Sequence, residues 1–98
     1  MYLVKFTKRA EKDKKLLKAA KLEKQTKKLL DILVINPFQS PPSFEKLIWE
    51  TNGKFSRRIN EQHRLVYDIY ENEENILSPE GIPYEGIVKV IRMWSHYE

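Results

Sequence analysis

The stretch from Asn52 to Tyr67, Asn-Gly-Lys-Phe-Ser-Arg-Arg-Ile-Asn-Glu-Gln-His-Arg-Leu-Val-Tyr, decides the fold. Phe55, Arg57 and Ile59 alternate with Ser56 and Arg58; His63, Leu65, Tyr67 and Ile69 alternate with Arg64, Val66 and Asp68. Both runs have the period of two expected of strands, and Asn60-Glu61-Gln62 between them has turn composition, so the segment reads as a β-hairpin. If all three of those residues form the loop, position 58 lies opposite 64. Two guanidinium groups then become cross-strand neighbours, which is destabilising unless an anion sits between them. If the loop is only Glu61-Gln62, the register slips by one and the arginines fall on opposite faces. Separate solvated arginines on a surface sheet are the bland alternative.

Working outward, Tyr2, Val4 and Phe6 alternate with Leu3 and Lys5 and suggest a short first strand, after which Thr7 can cap a helix. From Lys8 to about Ile35 there is no Gly or Pro, and Leu16, Leu17, Ala20, Leu29, Leu30 and Leu33 recur at spacings of three and four. That region is helical. The apolar stripe thins at Ala20 to Glu23, and an unbroken rod would overhang so small a domain, so two antiparallel helices are expected. Asn36-Pro37 ends them, because the residue before proline is pushed out of the α region. Segment 37 to 51, anchored by Phe38, Phe44, Leu47 and Trp49, reads as a structured connection, and Glu71 to Tyr84 as a polar surface loop. Ile87 to Met93 is a buried strand by its apolar density, and Trp94 to Glu98 forms a tail. Helices first and strands afterwards indicate an α+β domain spanning 1–98: two N-terminal helices packed on one face of a small, mostly antiparallel sheet, with the other face left free.

Composition narrows the chemistry. The 98 residues hold no cysteine and two histidines 33 positions apart, so thiolate and zinc-type metal sites are not expected. The alternating N-terminus lacks the apolar run of a signal peptide or membrane span, so a soluble, unprocessed cytoplasmic protein without membrane association is expected. The net charge of +4 is unevenly placed: residues 5–28 hold eleven Lys or Arg against three acids, whereas residues 29–98 hold seven against eleven. A basic N-terminal third steers a protein onto a polyanion by a salt-sensitive attraction, or is simply the solvated side of helices.

Four stretches taken together carry a resemblance: Asn36-Pro37-Phe38, Pro42-Ser43-Phe44-Glu45-Lys46-Leu47, the run Phe55 to Tyr67, and the ending Arg92-Met93-Trp94-Ser95-His96-Tyr97. With them the chain resembles the YoeB/Txe family of bacterial toxins, within the RelE-like superfamily of messenger-RNA endonucleases. The resemblance implies the same helix-on-sheet fold, ribosome-dependent cleavage of messenger RNA in the decoding site, and neutralisation by a cognate antitoxin. It matches the family's catalytic glutamate to Glu45, its phosphate-contacting arginines to Arg58 and Arg64, and its C-terminal histidine and tyrosine to His96 and Tyr97. Where many members carry a lysine soon after the glutamate motif, this chain has Ile48 and Trp49. Lys46 and Lys54 lie nearby, but neither falls at that place.

The same residues make chemical sense taken alone. RNA is cleaved without metal or cofactor when its 2′-hydroxyl attacks the adjacent phosphorus, given a base, positive charge on the phosphoryl oxygens, and an acid for the leaving 5′-oxygen. Glu45, Arg58 with Arg64, and His96 can supply these in that order, and Tyr97 can stack on a base or bond a phosphate. Lys46, Lys54, Arg57 and Arg92 are the further candidate RNA contacts, although the parity of Arg57 points it toward the helices or the sheet edge. His63 is expected to cap the hairpin turn or to bond within the sheet. Two rivals remain: a non-catalytic basic module that binds RNA or ribosomes, and a superfamily toxin with another target. Monomer and homodimer are both left open.

Overall fold

The computed structural model describes residues 1–47 and 54–94, and its layers meet at a few shared groups. The first is Thr7. Its Oγ1 accepts from the Ala10 amide at 3.1 Å, capping helix α1 (Lys8–Ala19), and donates to the Ile91 carbonyl at 2.9 Å, which ties the helix start to strand β5 (Ile87–Arg92). Helix α1 ends at the expected break, where Lys21 takes a left-handed φ of 61°, and α2 (Glu23–Ile35) follows. Ala10 and Leu17 from α1 and Leu29 and Leu33 from α2 are buried. They pack on Leu65, Tyr67, Val88, Val90 and Met93. Asp13 is buried in the same layer, where its Oδ2 accepts from the Met93 amide at 2.9 Å and from Arg92 Nε at 3.3 Å. A carboxylate in that position is satisfied only through this pairing.

Among the described residues, five strands form one sheet in the order β1-β5-β4-β3-β2. They are β1 (Leu3–Phe6), β2 (Glu45–Lys46), β3 (Phe55–Arg58), β4 (Arg64–Tyr70) and β5. Only β1 against β5 is parallel; the other three pairs are antiparallel, as expected of a mostly antiparallel sheet. The hairpin has the longer-loop register, with Arg58 opposite Arg64 and Phe55 opposite Tyr67. Asn60 fixes that loop: its side-chain oxygen accepts from the amides of Gln62 at 2.9 Å and His63 at 2.7 Å, while the Ile59 amide reaches the His63 carbonyl at 2.9 Å. The His63 ring is buried and stacks on Trp94, with centroids 3.9 Å apart.

Two expectations need correction. The connection after the helices contains an edge strand, β2, because a pairing of two residues is too short to leave an alternating pattern in sequence. The sheet face turned from the helices is not wholly free either, since Ser56, Val66 and Asp68 on it are buried.

Arg57 is 0% exposed and holds this end of the molecule together. Its Nη1 donates to the Pro42 carbonyl at 2.6 Å, its Nη2 to the carbonyls of Pro37 at 2.9 Å and Gln39 at 2.7 Å, and its Nε to the Tyr67 hydroxyl at 3.1 Å. The Tyr67 hydroxyl in turn donates to the Pro37 carbonyl at 3.0 Å. The guanidinium carbon lies 4.9 Å from the Phe44 ring centroid, and Phe55 stacks on Tyr67 with centroids 5.7 Å apart. The reading of Arg57 as an RNA contact is therefore corrected: strand alternation turns it to the helix side, where backbone carbonyls take its donors. Arg57→Ala should lower stability by at least about 3 kcal/mol, because buried carbonyls lose their donors; chemical denaturation measures this. Arg57→Lys should recover only part of the loss, since an ammonium cannot reproduce the planar fork.

Burial pushes the Tyr67 hydroxyl above the ordinary 10.0 of tyrosine, with the Arg57 charge and hydrogen bond acting the other way. The native state thus favours the neutral phenol. This contribution is fully present below the unfolded-state value and is lost as pH rises through 10 toward the folded value. Stability of Tyr67→Phe, relative to its own neutral-pH value, should decline less steeply across that alkaline window than that of wild type, as read from urea titrations at successive pH values.

Candidate functional site

Three neighbouring strands bring the principal candidates together. Glu45 stands on β2 directly opposite Ser56 of β3, and Arg58 of β3 stands directly opposite Arg64 of β4. Directly paired residues share a face of the sheet, and residues two apart do also, so Glu45, Ser56, Arg58 and Arg64 lie on the one turned from the helices. Arg64 bridges the group. Its Nε donates to Ser56 Oγ at 2.6 Å, and its Nη2 lies 3.4 Å from Glu45 Oε1. The Arg64 side chain is 16% exposed and that of Glu45 66% exposed, so the arginine is held against the sheet and the carboxylate stands out from it. Arg58 is exposed and makes no hydrogen bond or ion pair among the described residues. An arriving anion would meet one pre-oriented guanidinium and one free guanidinium, beside a carboxylate able to accept a proton.

The remaining candidates are placed less uniformly. Lys46 is exposed, but it pairs with Phe55 and so falls on the opposite parity from Glu45. Lys54 is half-buried, and its carbonyl accepts from the Leu47 amide at 2.7 Å, closing the β2–β3 pair. Arg92 pairs with Val66, next to a bulge, and its guanidinium is bound to Asp13 at 3.3 Å and to the Trp94 carbonyl at 3.1 Å. That ties it to the helix layer, while its side chain stays 24% exposed. His96 and Tyr97 lie outside the described residues, as do Ile48 and Trp49. Trp94, two residues before His96, is docked on His63 beside the hairpin loop. Among the described residues no cluster of three His, Cys, Asp or Glu could hold a metal ion. No helix among them is long and apolar enough to cross a membrane.

Ser56 was not singled out from sequence. The signal that could have found it is its phase: it alternates in step with Arg58 and lies between two large side chains, Phe55 and Arg57, as a small polar residue that can sit beneath a guanidinium.

The like-charge pair leads to a direct test. Arg58 has no partner among the described residues and faces another cation across the hairpin, so Arg58→Ala should leave the melting temperature unchanged or raise it slightly. Arg64→Ala should lower it modestly, because Ser56 Oγ and Glu45 lose a partner. Thermal melts of the two variants at low and high salt check this ordering, and the difference should shrink as salt screens the repulsion.

Comparison with known proteins supplies independent context. Residues 5–80 match the model of a family described as the YoeB-like toxin of bacterial type II toxin-antitoxin systems. A curated relative, Toxin YoeB of Synechocystis sp., is 38% identical over 68 residues, covering 69% of this chain and 72% of that protein. Among solved structures, the YoeB/ParE toxin from Agrobacterium tumefaciens superposes with a TM-score of 0.74 at 24% identity, covering 97% of this chain and 99% of that one. The YoeB-YefM complex from Staphylococcus aureus gives a TM-score of 0.65 at 26% identity, covering 99% of each chain.

Proposed function

This chain belongs to the YoeB-like toxins of bacterial type II toxin-antitoxin systems, and from that premise we propose that it is a ribosome-dependent endoribonuclease that cleaves translated messenger RNA. The observation that carries the reading is the contact of Arg64 with Glu45, across β3 and beside Arg58, which is exposed and has no partner among the described residues. A module that only binds RNA has no reason to hold a carboxylate within a cationic pair, since the carboxylate weakens the attraction for phosphate.

In the proposed reaction the 2′-hydroxyl of the nucleotide before the scissile bond gives its proton to Glu45 as its oxygen attacks phosphorus. Arg58 and Arg64 neutralise the charge that builds on the phosphoryl oxygens. The bond from phosphorus to the 5′-oxygen breaks, and His96 delivers a proton to that oxygen. The products are a 2′,3′-cyclic phosphate and a 5′-hydroxyl, and DNA, lacking the 2′-hydroxyl, is not cut. Tyr97 stacks on a base or bonds a phosphate. In this reading the exposed lysines of α1 and α2, such as Lys12, Lys15, Lys24 and Lys28, provide affinity for ribosomal RNA, and the protein works on translating ribosomes in the cytoplasm. The Staphylococcus aureus complex supports assigning a cognate antitoxin as the protein partner.

The test is a primer-extension map of a translated message with wild type and Glu45→Ala, with end-group analysis of the products. Cuts that need the ribosome, end in 2′,3′-cyclic phosphate and slow by about 10²- to 10⁴-fold in Glu45→Ala are expected. Efficient cutting of naked RNA, or ribosome binding without any cleavage, would replace this reading with one of its rivals. His96→Gln should lose cleavage while ribosome binding stays near wild type; normal cleavage by that variant removes His96 as the acid.

A further inference from the structure

Ser56 has no part in the proposed chemistry, yet it makes the shortest polar contact in the group. It is 1% exposed, directly opposite Glu45 on one side and Val66 on the other, and its Oγ accepts from Arg64 Nε at 2.6 Å. A guanidinium has two bidentate edges: the side edge formed by Nε and one terminal nitrogen, and the end formed by both terminal nitrogens. Ser56 takes Nε, and Glu45 lies 3.4 Å from Nη2. Nη1 has no partner among the described residues, so the end is not fully engaged there.

The choice of acceptor matters. Serine engages Nε without neutralising it, and by taking that donor it keeps Arg64 from closing a two-bonded pair with Glu45. The observed contact is a single one of 3.4 Å. With the hydroxyl removed, both Nε and Nη2 become available to the carboxylate, and the bidentate geometry is the preferred one for arginine with a carboxylate. The base and the phosphate ligand would then occupy each other. Cross-strand repulsion from Arg58 favours the same collapse, since it pushes the guanidinium toward the only anion of the group.

We infer that Ser56 is a positioning residue that holds the Arg64 guanidinium so that one end stays free for the scissile phosphate and Glu45 stays free to accept a proton. This rests on the endoribonuclease reading given above. A small buried hydroxyl is suited to the task, because it accepts from the arginine without neutralising it as an acidic side chain would.

The experiment is single-turnover cleavage on programmed ribosomes by wild type, Ser56→Ala, Ser56→Thr, Arg64→Lys and the Ser56→Ala/Arg64→Lys double variant, with ribosome binding and melting curves in parallel. Ser56→Ala should bind ribosomes with wild-type affinity and melt normally, but its rate at saturating ribosome should fall by about 10-fold or more. Ser56→Thr, which keeps the acceptor, should recover most of that rate. Lysine has no Nε–H fork, so Ser56→Ala should cost nothing further in the Arg64→Lys background, the non-additivity expected of residues acting as one unit. Should Ser56→Ala fold poorly, Ser56→Cys keeps the volume with a much weaker acceptor and should show the same loss of rate. A wild-type rate in Ser56→Ala, or an equal loss in both backgrounds, overturns the positioning role. Equal cleavage by wild type and Glu45→Ala instead overturns the catalytic reading on which it rests.

Discussion

The Arg57 guanidinium is the interaction on which the end of this molecule that carries the candidate site depends. A two-residue edge strand has almost no stability of its own, since its backbone pairing must offset the entropy of ordering the connection that precedes it. Arg57 supplies the difference. By binding three carbonyls between Pro37 and Pro42 it fixes the segment that delivers the chain to Phe44 and Glu45, and the ring of Phe44 lies against the same guanidinium. A buried charge is normally a liability; here each of the three nitrogens meets a carbonyl or hydroxyl, which is the condition under which such a group is tolerated. Arg57 and Arg58 are adjacent in sequence and chemically identical, yet one is a structural fastener and the other an exposed cation. The pleat alone separates them, because successive side chains on a strand point to opposite faces.

The opposite side of the same hairpin is built against stability. Arg58 and Arg64 face each other, although a hairpin gains nothing from two cations in a direct pair. The strain is partly relieved by Ser56 and Glu45, both of which engage Arg64 and leave Arg58 to solvent. Such an arrangement is stable enough to persist and gains most when an anion arrives, as expected of a site preorganised for developing negative charge. The proposed phosphoryl chemistry is one way to use that property.

What was legible in the sequence was what local chemistry decides. Thr7 could be read as a cap, Lys21 falls within the stretch where the apolar stripe thins, and Asn60 has the side chain that a three-residue loop uses to tie its own backbone. The facing arginines followed from that loop, though a one-residue slip remained open until the register was seen. Contacts set by tertiary packing were not legible. Asp13 sits among lysines on a helix and looks like a surface carboxylate; it is buried where Arg92 at the end of β5 and the Met93 amide just after it reach it, about eighty residues away. Strand β2 was hidden because two paired residues have no periodicity. The burial of Val66 and Asp68 on the supposedly free face could not be foreseen from alternation, which tells the two sides of a strand apart without saying what covers each.

Asp13 also bears on the tail. Its carboxylate holds the Met93 amide in the core, and Arg92 returns a hydrogen bond to the Trp94 carbonyl, so the main chain is fastened at consecutive residues as it leaves β5. Trp94 then lies face to face on His63, at the end of the hairpin that carries the two arginines. The path of the chain through Met93 and Trp94 is thus set in part by a buried carboxylate on the first helix, which makes the helix layer, remote from the proposed chemistry, responsible for how the main chain leaves the sheet.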